Sequence, residues 1–304
     1  MYKQILVPLD GSTFAEAALP LALGLSQRTR AGIHLVSVVE PIPAFAYEEW
    51  EAAAREWSEN YMENVAERIR GESGGEVSTG LRSGHVVETL LTEAGVNHAD
   101  LIVMATHGRG ALSRAWLGSV ADAVMRQAKM PVLFVRPSEG PVPATGAASG
   151  METILVPLDG SDLSEEALEH ATELGELFGS AYHLTRVVAN FIDIASPYLP
   201  YTVQMNQNLL VEAKASAAAY LEERADRMRR RGLRVTTSVA IDGQAGHGIL
   251  SEAEAVGCDL IAMATHGRTG MGRLVLGSAA DKVLRGTHLP LLLYRPAKVP
   301  AVKV

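Results

Sequence analysis

Short apolar runs alternate along this chain with longer stretches in which apolar residues recur at helical spacing. Residues 4–9, QILVPL, form the first run, which stops at Asp10-Gly11-Ser12, a turn and helix-start signal. Residues 13–29 then follow helical spacing, with Ala17, Ala18, Leu21 and Leu25 on one face. Ile33 to Val39 reads as the second strand. Pro41 and Pro43 break the chain before an Ala/Glu/Arg-rich helix over roughly residues 47–70, which ends at Gly71 to Gly75. Glu76 to Leu81 can form a strand, and Gly84 leads into a helix carrying Val87, Leu90, Leu91 and Ala94. Leu101 to Met104 predicts the fourth strand, residues 119–129 the last helix and Pro131 to Val135 the last strand. The runs LIVM and VLFV are continuously apolar, as strands covered on both faces should be. This alternation predicts an α/β domain with a doubly wound parallel sheet of five strands.

After Val135 the pattern stops and then starts again. Residues 137–150, PSEGPVPATGAASG, have no periodicity and read as a linker. Ile154 to Ser161 repeats Ile5 to Ser12 at an offset of 149, and His183 repeats His34 at the same offset. From Gly243, which matches Gly84, the offset is 159, so the second copy carries a net ten-residue insertion. We place it between Phe191 and Asn208, as a longer surface loop or a lid over a pocket. The expected layout is a domain over 1–137, a linker over 138–150 and a second domain over 151–297.

Composition narrows the function. A chain of 304 residues suits two domains, and 47% hydrophobic residues with 20% charged describe a water-soluble globular protein. The formal net charge of −8 argues against general affinity for nucleic acid or anionic membranes. A phosphate site here must be built from local backbone donors. Arg229-Arg230-Arg231, the one basic cluster, reads as the end of a solvated helix. The single cysteine, Cys258, excludes an intramolecular disulfide and reads as a small core residue. MYKQILVPLD lacks the apolar region of a signal peptide and no run reaches membrane-spanning length, so a cytoplasmic protein is expected.

The candidate chemistry lies in a stretch written twice: VMATHGRGALSRAWLGS over 103–119 and AMATHGRTGMGRLVLGS over 262–278. Each copy runs from an apolar strand through Thr-His-Gly-Arg to a Gly-Ser pair that opens a helical pattern. The first amides of a helix have no internal partner and sit at the positive end of its dipole, so such a loop can hold an anion. In a doubly wound sheet ligands bind at the strand carboxyl ends where strand order reverses. If the first and fourth strands are neighbours, Asp10 and Met104–Gly108 face one crevice, as do Asp159 and Met263–Gly267. A carboxylate suits ribose hydroxyls and backbone amides suit phosphates. His107 and His266 have no nucleophile–base pair nearby in sequence and read as structural loop residues. His34 and His183 lie within strands and read as core or interface residues. No Walker A lysine, HExxH, paired CxxC or Gly-x-Ser-x-Gly motif occurs.

VPLDGS at the start, a strand ending in MATHGR, Gly-Ser nine residues beyond Gly108 or Gly267, and a terminal PVLFVRP or PLLLYRP together resemble the universal stress proteins, in their tandem-domain arrangement. The resemblance covers nearly the whole chain outside the linker and tail. It implies two Rossmann-like, three-layer α/β/α domains of the adenine-nucleotide α-hydrolase-like kind. It also implies a stress-response regulator that binds ATP or ADP in one or both domains, as a nucleotide-dependent sensor or interaction module. Mg or Mn could accompany the phosphates. By resemblance Asp10 and Asp159 sit by the ribose and adenine, next to Pro8, Leu9, Pro157 and Leu158, and Val38 and Val187 line the adenine slot. Around the phosphates it implies Met104, Ala105, Gly108, Arg109, Gly118, Ser119 and Val120 in the first copy. In the second it implies Met263, Ala264, Gly267, Arg268, Gly277, Ser278 and Ala279.

Several alternatives stand beside these assignments. The family's binding signature opens with a glycine where this chain has Ala105 and Ala264, which fits a negative φ and is strained at a positive one. Ser119 and Ser278 could instead be helix N-caps, and Arg109 and Arg268 solvated loop residues. The second copy carries Arg268-Thr269-Gly270, close to the family pattern, and glycines at 243, 246 and 248 that would loosen the backbone at its pocket rim, so it is the favoured site. The chain is expected to be at most a weak ATPase. The competing functions are a protein-interaction protein with vestigial pockets and a slow ATP hydrolase. The last strands are apolar edges that need cover. In the family such edges pair between subunits, so the resemblance implies an intramolecular pseudo-dimer of the two domains, with further homodimerisation and a protein partner left open.

Overall fold

The computed structural model describes residues 2–40, 48–107, 117–137, 151–189, 200–265 and 276–295, with the side chains of 48–51 and 200–207 set aside. The predicted linker therefore lies outside the described residues. The chain forms two compact units, Met1–Gly150 and Met151–Val304.

In the first unit the elements are β1 (Gln4–Pro8), α1 (Thr13–Glu16), α2 (Leu19–Thr29), β2 (Gly32–Val39), α3 (Glu48–Arg70), β3 (Val77–Ser83), α4 (Val86–Val96), β4 (Leu101–Ala105), α5 (Ser119–Gln127) and β5 (Val132–Val135). Its strands lie in the order β3-β2-β1-β4-β5, and the pairs registered along it are parallel. The second unit repeats this with β6 (Thr153–Pro157), α6 (Asp162–Phe178), β7 (Ala181–Val188), α7 (Pro200–Arg230), β8 (Arg234–Ile241), α8 (Ala245–Val256), β9 (Leu260–Ala264), α9 (Ser278–Gly286) and β10 (Leu291–Tyr294). Here the order is β10-β9-β6-β7-β8, again parallel. β4 and β9, LIVMA and LIAMA, are buried at every position, as strands covered on both faces must be.

Two elements depart from the sequence expectation. The helix expected over 13–29 is broken into α1 and α2, whereas its counterpart α6 runs unbroken for 17 residues. Pro20, at the start of α2, has no N–H to donate back to Glu16, and the repeat offset puts Glu169 at that place in α6. Ala17 and Ala18 bond instead to Phe14 and Ala15, three residues back. The insertion expected as loop or lid is partly helical, because α7 spans 31 residues against 23 in α3 and opens at Pro200. Residues 191–199 of that insertion lie outside the described residues.

Where α6 and β7 cross, a Cβ on Gly175 would lie 2.3 Å from the Tyr182 hydroxyl, so only glycine fits. Tyr182 is fully buried and donates to the Thr172 carbonyl at 3.0 Å; burial pushes its pKa up to about 12. Cys258 is buried, and desolvation, helped by Asp259, raises its thiol to about 11, which suits a core residue. The basic cluster closes α7 as expected. Arg229 bonds Glu222, Asp226 and the Val235 carbonyl, and Arg231 bonds Glu176. Among the described residues no helix is long and apolar enough to cross a membrane.

Candidate functional site

In each unit the chain winds outward through three strands, then restarts on the other side of the first. The reversal falls between β1 and β4, which pair in register at Ile5–Leu101 and Leu6–Ile102, and between β6 and β9 at Ile154–Leu260 and Leu155–Ile261. Both strands of each pair therefore end side by side, at the crevice where doubly wound sheets take ligands. Past the end of β1, Leu9 still donates to the Val36 carbonyl at 2.8 Å, and Leu158 does the same to Thr185. Pro8 pairs with Val36 and Pro157 with Thr185, so Asp10 and Val38, and Asp159 and Val187, each follow two residues further along neighbouring strands.

Each aspartate is fixed by its own turn. Asp10 Oδ1 accepts from the Ser12 amide at 2.9 Å and its hydroxyl at 2.6 Å, and Asp159 Oδ1 accepts from Ser161 at 3.0 and 2.6 Å. The intervening Gly11 and Gly160 have φ of 82° and 88°, values that favour glycine. Ser12 and Ser161 then cap α1 and α6. Sequence had marked this turn; the carboxylate's role in holding it comes from the structure.

Opposite, β4 and β9 end in Ala105 and Ala264. Both lie in paired strand backbone, opposite Val135 and Tyr294, and neither is among the positive-φ residues. Alanine is thus unstrained where the family signature has glycine. The Ala264 methyl belongs to a buried cluster with Leu163 and Ala167 of α6. Thr106 and Thr265 follow, both buried. Met104 and Met263 sit one residue earlier, also buried. Gly108, Arg109, Gly267, Arg268 and His266 lie outside the described residues.

The chain returns at Gly118 and Gly277, whose amides each donate 2.9 Å to the carbonyls of Thr106 and Thr265. These bonds fasten the start of α5 and α9 to the strand ends. A Cβ on Gly118 would stand 3.1 Å from the Thr106 carbonyl oxygen, so glycine is chosen here for close approach. Gly118 and Gly277 are themselves the N-caps, with no side-chain cap bond, and Ser119 and Ser278 are the first helical residues. The N-cap alternative for these serines is thereby corrected. The first turns, with Val120 and Ala279, present helix amides at the crevice without a side chain capping them.

His107 sits at the mouth of the first crevice. Its Nδ1 lies 3.0 Å from the Thr106 hydroxyl, while Nε2 is buried with no partner among the described residues. Burial, then the charge of Arg136, holds its pKa below the ordinary 6.5. The glycines flanking His247 act differently from expectation. Gly246 and Gly248 lie within α8, and added Cβ atoms would meet Lys282 of α9 at 2.6 Å and Val187 at 2.8 Å. They allow α8 to pack tightly against α9 and β7, rather than loosening the rim.

Two repeated polar pairs escaped the sequence reading. His34 is buried, with Nε2 3.1 Å from Glu93 and Nδ1 2.9 Å from Ser78; His183 repeats this with Glu252 and Thr236. The Tyr61 hydroxyl donates to Glu16 at 3.0 Å, and Tyr220 to Glu165 at 3.1 Å. The signal was present: Tyr220 and Glu252 repeat Tyr61 and Glu93 at the offset of 159. Only contact in space shows which recurrent residues are partners.

A duplicated α/β domain, with a reversal crevice floored by two strand ends and bordered by an uncapped helix start, defines the class. Comparison with known proteins places it further. Residues 1–136 and 150–295 each match the universal stress protein family, to which the chain belongs. It is 28% identical over 302 residues to a universal stress protein of Mycolicibacterium smegmatis, covering 96% of this chain and 97% of that one. Over 146 residues it is 30% identical to a universal stress protein of Methanocaldococcus jannaschii, covering 48% of this chain and 82% of that one. The crystal structure of a universal stress protein from Archaeoglobus fulgidus superposes with a TM-score of 0.73 at 19% identity, covering 96% and 98% of the two chains, and so shares the fold.

Proposed function

We propose that this protein is a stress-response regulator that binds ATP or ADP in the reversal crevice of one or both units. The observation that carries the reading is repeated: a helix start capped only by glycine and tied at 2.9 Å to one strand end, beside a neighbouring strand whose following turn carries an aspartate. The first-turn amides of α5 and α9 would take phosphate oxygens, together with Gly108, Arg109, Gly267 and Arg268 of the loops. The outer lone pairs of Asp10 and Asp159 would take ribose hydroxyls, and Val38 and Val187 would flank the base. A divalent ion such as Mg or Mn would enter on the phosphates, since the described residues offer no cluster of three His, Cys, Asp or Glu to hold one.

With no P-loop lysine to draw charge off the outer phosphates, the site suits retention over turnover. Bound nucleotide would then bias the protein toward one conformation or partner. Calorimetry on nucleotide-stripped protein should give saturable heat with ATP or ADP, reduced by Gly277→Val if the second crevice binds and abolished when Gly118→Val is added; absence of heat with either nucleotide in the unaltered protein removes the reading. One observation favours a protein-interaction role with vestigial pockets: Asp10 and Asp159 each already accept two bonds from their own turns. That role predicts a partner complex indifferent to added ATP. A slow hydrolase predicts phosphate release above background that Asp159→Ala abolishes.

A further inference from the structure

The second unit holds a cation that the first lacks. Arg186 lies near the carboxyl end of β7, where the repeat offset places the buried Ser37 in the first unit. Its guanidinium packs against two neighbours. Its terminal nitrogens and Cζ would stand 3.2–3.4 Å from a Cβ on Gly160, so the group lies against the turn after Asp159. Its Cζ is also 5.2 Å from the centre of the Tyr220 ring, within cation–π range. Tyr220 is itself pinned, by its 3.1 Å bond to Glu165 and by Arg224, whose Cζ lies 4.8 Å from the ring centre.

No hydrogen bond or ion pair joins the Arg186 guanidinium to any described residue. This chain has 35 carboxylates for 27 Lys and Arg, so potential partners outnumber cations. By contrast Arg224, on the same ring, makes bonds of 3.0 and 2.7 Å to Glu165. A guanidinium confined by a turn and an aromatic ring has lost much of its freedom to turn, while its donors keep their fork geometry. That is the preorganised form in which arginine recognises an oxyanion by two parallel bonds.

We propose that Arg186 is an anion-recognition group specific to the second unit, and that it takes a phosphoryl oxyanion at the turn following Asp159. The position is separate from the nucleotide slot. Val187 contacts α8, and Arg186, the preceding residue on β7, faces the α6–α7 layer through Tyr220. Side chains alternate along a strand, so the two face opposite sides of the sheet. A second phosphoryl group could therefore bind beside an occupied or an empty slot, and the first unit, with serine at this place, could not match it.

The test follows the Arg186 side-chain N–H in 15N-correlated NMR spectra of the full chain, assigned by its loss in Arg186→Gln. Inorganic phosphate is titrated, with sodium chloride at matched ionic strength and sodium acetate as comparisons. The proposal expects a saturable phosphate shift, an affinity about tenfold or more weaker in Arg186→Gln by calorimetry, and retention in Tyr220→Phe, which keeps the ring. A shift that chloride reproduces, or no shift at all, overturns it. A response to acetate alone overturns the phosphoryl assignment. Because the probe is phosphate and the readout lies on the α6–α7 side, failure here leaves nucleotide binding in the slot standing, and the converse also holds.

Discussion

Ala105 and Ala264 show how much one dihedral angle decides. A glycine in a binding signature can be present for a positive φ, for close approach or for neither. Here the strand continues through the position with extended backbone, and alanine costs nothing in strain. Gly118 is the opposite case. Its φ of −62° is open to any residue, yet a Cβ would stand 3.1 Å from the Thr106 carbonyl. Gly118→Ala should therefore move the start of α5 by a few tenths of an ångström and destabilise the first unit by about 1 kcal/mol. Urea unfolding would measure this, with Ala105→Gly as the contrasting change. Loss from a well-ordered strand should make that second substitution mildly destabilising too, by roughly 0.5–1 kcal/mol, although it restores the family signature.

At the scale of elements, the junction of β2, β3 and α4 is held by a buried ionisable pair. Burial is the largest influence on His34 and lowers its pKa below 6.5, against the pull of Glu93. Burial works the other way on Glu93, but hydrogen bonds from Arg82, Asn97 and His34 outweigh it and hold the carboxyl below its ordinary 4.5. Both shifts have the same consequence. The unfolded chain takes up these protons at higher pH than the folded one, so stability falls as the pH drops below 6.5 through His34, and further below 4.5 through Glu93. Each group can contribute at most about 1.4 kcal/mol per pH unit. In His34→Gln the acid-side slope of unfolding free energy should shrink but persist, because burial also lowers His107 and His170. An unchanged slope would show that His34 does not titrate on unfolding. The break between α1 and α2 belongs to this scale as well, since one proline in the first copy divides what the second copy leaves whole.

For the whole molecule, duplication is the governing fact. Each unit carries its own run of parallel strands, its own reversal and its own crevice, and the universal stress protein family matches each half separately. If residues 138–150 form the linker their composition predicts, brief proteolysis should cut there first and release two fragments that each unfold cooperatively. Cleavage inside either unit at a comparable rate would contradict that division. Nucleotide in hundredfold excess over its dissociation constant should stabilise an occupied unit by about 2.7 kcal/mol. The number of transitions that shift on adding ATP then counts the working crevices.

The strand–helix alternation, the repeat at offsets of 149 and 159, the two aspartate turns and the glycine–serine helix starts were legible in the amino-acid order, because periodicity and turn chemistry are local. So was the family, since its motifs are contiguous. Other features depend on residues that meet only in space. The split of α1 from α2 followed from which carbonyl Pro20 failed to reach. The assignment of the N-cap to glycine rather than serine was fixed by the bond from Gly118 to Thr106, and the tight α8 packing by Val187 and Lys282. The clamp on Arg186 joins residues 160, 186 and 220. Local patterns determine which elements form; the partners of a buried polar group are set by folding, because desolvation penalises any donor or acceptor left without one.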